Sequence, residues 1–337
     1  MTDIEQALKL LTSKTWPNIV KKSQRGDLDA LYLQGVAYLC GGPVQIDISK
    51  SYSYFKQAAL KGHSDAAFRT GVLLKDYDWP EKPDEDPFIY FTKAADLGSP
   101  AGYVAAGNKF TFALIDNDRW WHKFLTPSSV SQAGDESITL YAKALSCSYS
   151  PAFYFMGLHY LKGWGVKSDQ SKALDLFKYG ATLEDADCMY MTYMLLHKYN
   201  MDEAISFLLS AADKGHVDSQ YRYSIYILDH KDHALTAENA LSWLRRAAMQ
   251  RHPAAMARLS SLLYSGRGVP INYREAYLWA YRAQQLGFES KTLLSNIWRS
   301  MSEDDKLFVQ SHSFELKNKD FFSLSNKLFG TGKFTLD

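Results

Sequence analysis

An all-α array of helix pairs is the fold class this sequence predicts, and three observations predict it. One small residue recurs at a fixed register down most of the chain. Glycines punctuate the segments between recurrences. The composition, 22 Tyr, 18 Phe and 8 Trp against only 10 Pro in 337 residues, favours helix packing over sheets in a chain rich in Leu and Ala.

The register runs through Ala58, Ala94, Ala144, Gly180, Ala211, Ala247 and Ala283, at separations of 36, 50, 36, 31, 36 and 36 residues. Four of the six steps are equal, and the other two read as a 14-residue insertion and a 5-residue deletion. One period before Ala58 stands Lys22, and Gly26 matches Gly62 by the same step, so the array opens on a half-repeat.

Each full unit reads as two helices. The first opens on a small residue and places Gly five positions later, as in Ala30 to Gly35, Ala66 to Gly71 and Ala152 to Gly157. Tyr38, Tyr160 and Leu263 follow three further on, and a Gly-bearing turn comes next at 40–44, 162–166 and 265–269. Glycine supplies the positive φ that ends a helix and reverses the chain. The second helix closes on Gly at 26, 62, 98, 215 and 287, the expected C-terminal punctuation. Small residues at the crossing let the axes approach to the short end of the usual ~8–10 Å. A pair of this size cannot bury its apolar stripe alone, so neighbours must stack.

The pattern Ala-x-Tyr/Phe-x-x-Gly, Tyr, Gly-x-Gly-Val, Lys-Ala, Phe-x-x-Ala-Ala-x-x-Gly-His resembles the Sel-1-like repeats, relatives of the tetratricopeptide repeats with longer units. The best copy is the fourth, SPAFYFMGLHYLKGWGVKSDQSKALDLFKYGATLED. The first and seventh match well, the second and sixth in their second helices. The third and fifth depart: one carries the insertion around NDRWWHKFLTPSSVSQAGD, the other lacks the Gly turn around HKYNMDEA. The expected layout is an N-terminal cap and half-repeat at 1–28, about seven repeats at 29–288 with the insertion at about 108–134, and capping helices and a tail at 289–337. Ser302 before EDDK reads as an N-cap with acids in the first turn. The resemblance implies a right-handed superhelical solenoid that presents first-helix side chains on a concave surface and holds other proteins there.

Composition narrows the function. A chain this long implies two domains or one elongated array. Thirty-eight basic against 37 acidic residues leave +1, which disfavours nucleic-acid binding driven by bulk charge. No run of eighteen apolar residues suggests a membrane span, and MTDIEQALKLLTSK lacks the basic-then-apolar start of a secretion signal. Cys40, Cys147 and Cys188 have no paired spacing, which fits a reducing cytoplasm.

Catalytic motifs are sparse. Ser53-Tyr-Phe-Lys56 matches S-x-x-K, but no S-D-N or K-T-G accompanies it, and Lys56 holds the repeat's usual Lys position. No G-x-S-x-G, Walker A or G-x-G-x-x-G occurs. His63, His216 and His252 recur at one repeat offset just after the second helix, so they share one structural job. Their spacing is far beyond the ~2 Å that zinc ligands need. His230-Lys-Asp-His233 is a lone H-x-x-H without a Cys or Glu set. No cofactor and no metal are expected.

Binding candidates come from helix geometry. Tyr32, Phe68, Tyr103, Tyr154 and Tyr221, two residues after the helix opening, read as packing residues. At 100° per residue, offset three falls nearly opposite the small-residue face. It reads Leu33, Arg69, Val104, Phe155, Met189, Arg222 and Arg258. Offset seven, on a neighbouring strip, reads Ala37, Leu73, Lys109, His159, Tyr193, Tyr226 and Leu262. Arg, Tyr, Phe and Met are the composition of binding hot spots, although a solvated, partly packed helix face has it too. Trp120 and Trp121 in the insertion are either a binding loop or an apolar plug. Residues 76–136 hold 11 acids and 5 bases, and residues 220–300 hold 11 bases and 5 acids. Such polarity can steer a partner, or be a solvated face at each end.

The candidate partner-binding set is therefore Arg69, Trp120, Trp121, Phe155, His159, Tyr193, Arg222, Tyr226 and Arg258. The expected function is a non-enzymatic protein-interaction scaffold in a bacterial cytoplasm. Two alternatives stand beside it: an immunity-type protein that blocks a toxin, and a β-lactam-type hydrolase using Ser53 and Lys56.

Overall fold

The structure, a computed structural model, describes residues 3–115, 127–229 and 237–311. Among them every regular element is an α-helix and none is a strand. None of these helices is long and apolar enough to cross a membrane. The chain divides into two compact units, residues 1–183 and 184–337.

The first unit holds α1 (Asp3–Leu10), α2 (Trp16–Gln24), α3 (Leu28–Cys40), α4 (Ile48–Leu60), α5 (Ser64–Asp76), α6 (Pro87–Asp96), α7 (Pro100–Ile115), α8 (Pro127–Ser146), α9 (Ser150–Lys162) and α10 (Gln170–Thr182). The second holds α11 (Ala186–Leu196), α12 (Met201–Asp213), α13 (Val217–Asp229), α14 (Ala237–Met249), α15 (Pro253–Ser265), α16 (Tyr273–Gln285), α17 (Lys291–Ser300) and α18 (Glu303–Ser311). From α2 to α10 and from α11 to α17 each helix packs on the next in sequence, the pattern of a helix-pair solenoid, while α1 packs on α3. Unpaired at the end of the array, α17 and α18 cover α16, and Ser302 Oγ caps α18 by accepting from the Asp305 N–H.

Helix starts are set by short polar side chains at equivalent positions of several repeats. Asp27, Ser99 and Asp185 cap first helices. Asp47, Asp169, Asn200 and Asn272 cap second helices. Each accepts a backbone N–H that the helix leaves without an internal partner. At the crossing of each pair in the first unit, a glycine faces an aromatic ring. A Cβ on Gly35, Gly71, Gly107 or Gly157 would lie 2.5, 2.6, 2.8 or 2.4 Å from the ring of Phe55, Phe91, Tyr141 or Phe177. In the second unit the corresponding positions hold Tyr193 with Leu208, Ser224 with Leu244 and Ser260 with Ala280. There the first-helix residue is larger and the second-helix residue smaller, so the layer stays filled.

The third repeat absorbs much of its insertion by lengthening both helices. They span 16 and 20 residues in α7 and α8, where most repeat helices span 13. The start of α8 leans on the turn after α9, with Gly134 against Gly165 so closely that a Cβ on Gly134 would be 2.5 Å from the Gly165 nitrogen. Only Gly permits that approach.

Candidate functional site

The first helices position the candidate binding residues, and their caps fix the register. Asp185 caps α11 through the Cys188 N–H as Asp27 caps α3 through Ala30. Cys188, not Ala186, therefore opens the fifth repeat, and offset three there is Met191 rather than Met189. Ser99 likewise caps Gly102, which puts Ala105 rather than Val104 at offset three of α7. Tyr193 moves from offset seven to offset five, the crossing position that glycine fills in the first unit.

Two of the offset-three residues are fully presented. Arg222 and Arg258 are exposed. Arg222 Nε donates to the hydroxyl of Tyr190 at 2.8 Å, and its guanidinium stands 5.7 Å from that ring. Tyr190 in turn packs on His216 with ring centroids 4.5 Å apart. Burial pushes the Tyr190 hydroxyl pKa up, against the lowering by Arg222. A guanidinium held on an aromatic face loses little further entropy when it meets a carboxylate. Tyr190 escaped the sequence reading because the fifth repeat was set two residues out of register; its signal is the Tyr two residues after the helix opening.

The other candidates are more deeply placed. Arg69 is half-buried over the ring of Phe68 at 5.3 Å, and its Nε has no hydrogen-bond partner. Phe155 stacks on Tyr141 at 5.5 Å. Tyr193 and Tyr226 are half-buried beside the apolar cluster around Leu208 and Tyr223. Trp120 and Trp121 lie outside the described residues, as does the His230–His233 pair.

His159 is a correction. At offset seven Ala37, Leu73 and His159 point inward, with Ala37 and His159 at 0% exposure and Leu73 at 1%. His159 Nδ1 donates to the Trp164 carbonyl at 2.7 Å, which leaves Nε2 to accept from the Thr111 hydroxyl at 3.0 Å. The hydroxyl of Tyr141 joins the same network at 2.6 Å from Thr111. Burial holds the imidazole pKa below its ordinary value. This is a sealed polar core, with no atom left for a partner.

The S-x-x-K pair has no base. Lys56 Nζ sits 2.6 Å from Glu85 Oε1 and 3.1 Å from the Tyr52 hydroxyl, and these bonds raise its pKa above the ordinary lysine value. Glu85 also accepts from the Tyr90 hydroxyl at 2.7 Å. An ammonium locked this way cannot take a proton from Ser53. What Lys56 does is pin the acidic 77–86 loop to α4, with Trp79 packed on Tyr52 at 5.6 Å.

Comparison with known proteins agrees with this architecture. The Sel1 repeat matches residues 28–63, 88–99, 150–185, 193–216, 232–252 and 253–288. Chitin synthase regulatory factor 2 of Schizosaccharomyces pombe is 24% identical over 323 residues, 90% of this chain and 53% of that protein. The chain thus spans about half the length of that relative. A Sel1 repeat protein from Oxalobacter formigenes superposes with a TM-score of 0.57 at 20% identity, covering 89% of this chain and 87% of the other. Immunity protein Pa5087 from Pseudomonas aeruginosa matches at a TM-score of 0.43 and 20% identity, over 66% of this chain and 82% of its own. With its helix pairs, capped starts and small-residue crossings matched by that repeat six times, the chain belongs to the Sel1-repeat family.

Proposed function

We propose that this Sel1-repeat scaffold is non-enzymatic and holds an acidic protein partner on the first-helix surface of its second unit. The observation that carries this is the Arg222–Tyr190 pair, exposed, hydrogen-bonded and braced from behind by His216. Arg and Tyr together are the residues most enriched at binding hot spots. Residues 220–300, with 11 bases against 5 acids, supply the field that steers such a partner in. Arg258 occupies the equivalent position one repeat on and extends the surface; Tyr226 lies on its rim, half-buried. The yeast relative is named a regulatory factor, a part that binding alone can play. Exposed free thiols at Cys40 and Cys147 suit a reducing cytoplasm.

The test is capture followed by titration. The full chain serves as bait, and the recovered protein is then titrated against wild type and against the Arg222→Glu/Arg258→Glu variant by calorimetry. Charge reversal should weaken binding at least tenfold, since losing a central Arg costs about 2 kcal/mol or more, with helicity unchanged. Equal affinity for both proteins sinks this assignment of the face.

A further inference from the structure

The third repeat breaks a pattern that three others keep. In those, the ring two residues after a first-helix opening packs on the histidine that caps the next first helix: Tyr32 on His63, Tyr190 on His216 and Tyr221 on His252. In α7 the residue two after the opening is Val104, and Ser99 caps that helix in place of a histidine. Offset three is Arg in α5, α13 and α15, but in α7 it is Ala105. The third repeat therefore puts an isopropyl and a methyl group where most other repeats put much larger ones.

Beside those two small residues lies a cavity of about 190 Å³ between α5, α6 and α7. Phe68 and Val72 line it from α5, Phe88 and Phe91 from α6, and Val104 and Ala105 from α7. The three rings are contiguous: Phe68 is tilted against Phe91 at 5.9 Å, and Phe88 meets Phe91 edge-on at 5.6 Å. Phe68, Val72, Phe88 and Ala105 are half-buried, so solvent reaches the cavity. Two successive first helices, α5 and α7, thus form its sides.

Volume and lining narrow the occupant. A cavity of about 150 Å³ lined by Leu, Ile and Phe stays dry and takes up benzene. One of about 190 Å³ has room for a phenyl ring and the methylene that carries it. A ring placed there meets three others, and aromatic groups favour such tilted and edge-on clusters. Lys75 and Asp76 also line the cavity, one charge of each sign, which favours a neutral side chain over an ionised one. Asn108, lining it from α7, accepts the Tyr141 hydroxyl at 2.8 Å through Oδ1, which leaves its NH₂ as a donor for a main-chain carbonyl.

We propose that this cavity receives the side chain of a phenylalanine from a protein partner, with the Asn108 carboxamide donating to the carbonyl of that residue. The site belongs to the first unit and presupposes only that the chain is a protein-binding scaffold. Its test leaves Arg222 and Arg258 untouched, so the two surfaces can fail separately.

The test uses the full chain with ¹³C-labelled valine methyls and N-acetyl-phenylalanine amide as probe. The Val72 and Val104 methyl signals should shift saturably in the millimolar range, the affinity expected of so few atoms. N-acetyl-alanine amide, which lacks the ring, should bind at least tenfold more weakly. Val104→Tyr and Ala105→Arg install residues that other repeats carry at these offsets, and both fill the cavity. Each should weaken the probe at least tenfold, read at Val72, while melting at the same temperature or higher. Ala105→Arg, at a half-buried position, serves alone if Val104→Tyr fails to fold. No saturable shift up to the solubility of the probe overturns the proposal, and so does undiminished binding by Ala105→Arg. Tighter binding of N-acetyl-leucine amide overturns the choice of a ring, and tighter binding of benzyl alcohol overturns the choice of a protein segment.

Discussion

The imidazole of His252 stacks on the ring of Tyr221 with centroids 4.7 Å apart, while its Nδ1 accepts the Ala255 N–H at 3.0 Å. One side chain thus caps a first helix and packs on the first helix before it. The same arrangement joins His63 to Tyr32 at 4.8 Å and His216 to Tyr190 at 4.5 Å. Because Nδ1 accepts, the proton sits on Nε2. That nitrogen faces a carboxylate of the preceding repeat, Asp29, Asp187 or Asp218, at 3.5, 3.4 or 3.1 Å. Removing the ring in His252→Ala should cost about 1 kcal/mol for the cap and about 0.5–1 more for the ring contact. His252→Asn should recover the cap alone. Urea denaturation followed by circular dichroism checks the order wild type, Asn, Ala; equal losses in both variants would mean the cap contributes nothing.

Gly157 and Phe177 form a matched pair. A methyl at Gly157 would meet the Phe177 ring at 2.4 Å, so Gly157→Ala should overpack the crossing and destabilise by about 1–3 kcal/mol. Phe177→Leu leaves a small void by itself. The second unit places Ser224 beside a leucine at these positions, so the double variant should lose less than the two single losses added. A double-mutant cycle reads that coupling directly. Simple additivity would show that the glycine and the ring do not compensate each other.

This compensation marks the boundary of what the sequence discloses. The period, the helix pairs and the closing glycines were legible because each depends on a local preference repeated many times. The cap at Ser302 was legible for the same reason. The fifth repeat was read two residues out of register, because its turn carries no glycine to anchor the count and the Asp185 cap is visible only in the fold. Of the strip read at offset three, Arg222 and Arg258 are exposed and Val104 and Met189 are buried. The strip at offset seven failed at His159, which Thr111 and Tyr141 of the preceding repeat cover. That His63, His216 and His252 share one job follows from their spacing. That the job is capping follows only from where Nδ1 points.

The residue that closes the second helix is Gly in most repeats, but Arg251 stands there in the sixth with φ of 67°. At the same place Gly62 and Gly215 have φ of 101° and 92°. A side chain in the left-handed region costs roughly 1–2 kcal/mol. Arg251 also opposes Arg282, which is 6% exposed and whose pKa is lowered first by burial and then by Arg251. Arg251→Gly relieves both and should stabilise the chain by about 1 kcal/mol, after the entropy that glycine adds to the unfolded state. Arg251→Ala relieves only the charge and should gain less. Chemical denaturation ranks the three proteins, and an Ala variant as stable as the Gly variant would remove the backbone argument.

The sealed network around His159 gives the first unit a pH dependence of known sign. Folded, the imidazole is neutral: Nδ1 already donates to the Trp164 carbonyl, and Nε2 accepts from Thr111. A proton on Nε2 would replace that acceptor with a second donor facing the Thr111 hydroxyl, inside a core where His159 has 0% exposure. Burial accordingly keeps its pKa below the ordinary value. Unfolding returns the side chain to water and to a pKa of about 6.5. Below that pH the unfolded chain binds a proton that the folded chain refuses, so the unfolded state gains from acid. This contribution to stability is complete above about pH 6.5, falls as the pH drops, and levels off below the folded-state pKa. The paired carboxylates Glu85 and Asp305, with lowered pKa values, act in the same direction but only at the lower pH where carboxylates titrate. His159→Gln keeps a donor and an acceptor at the site without the titration. Melting temperatures measured from pH 7.5 to 5 should therefore fall more steeply for wild type than for His159→Gln. Parallel curves would place the acid sensitivity in other groups and leave His159 a purely steric part of the core.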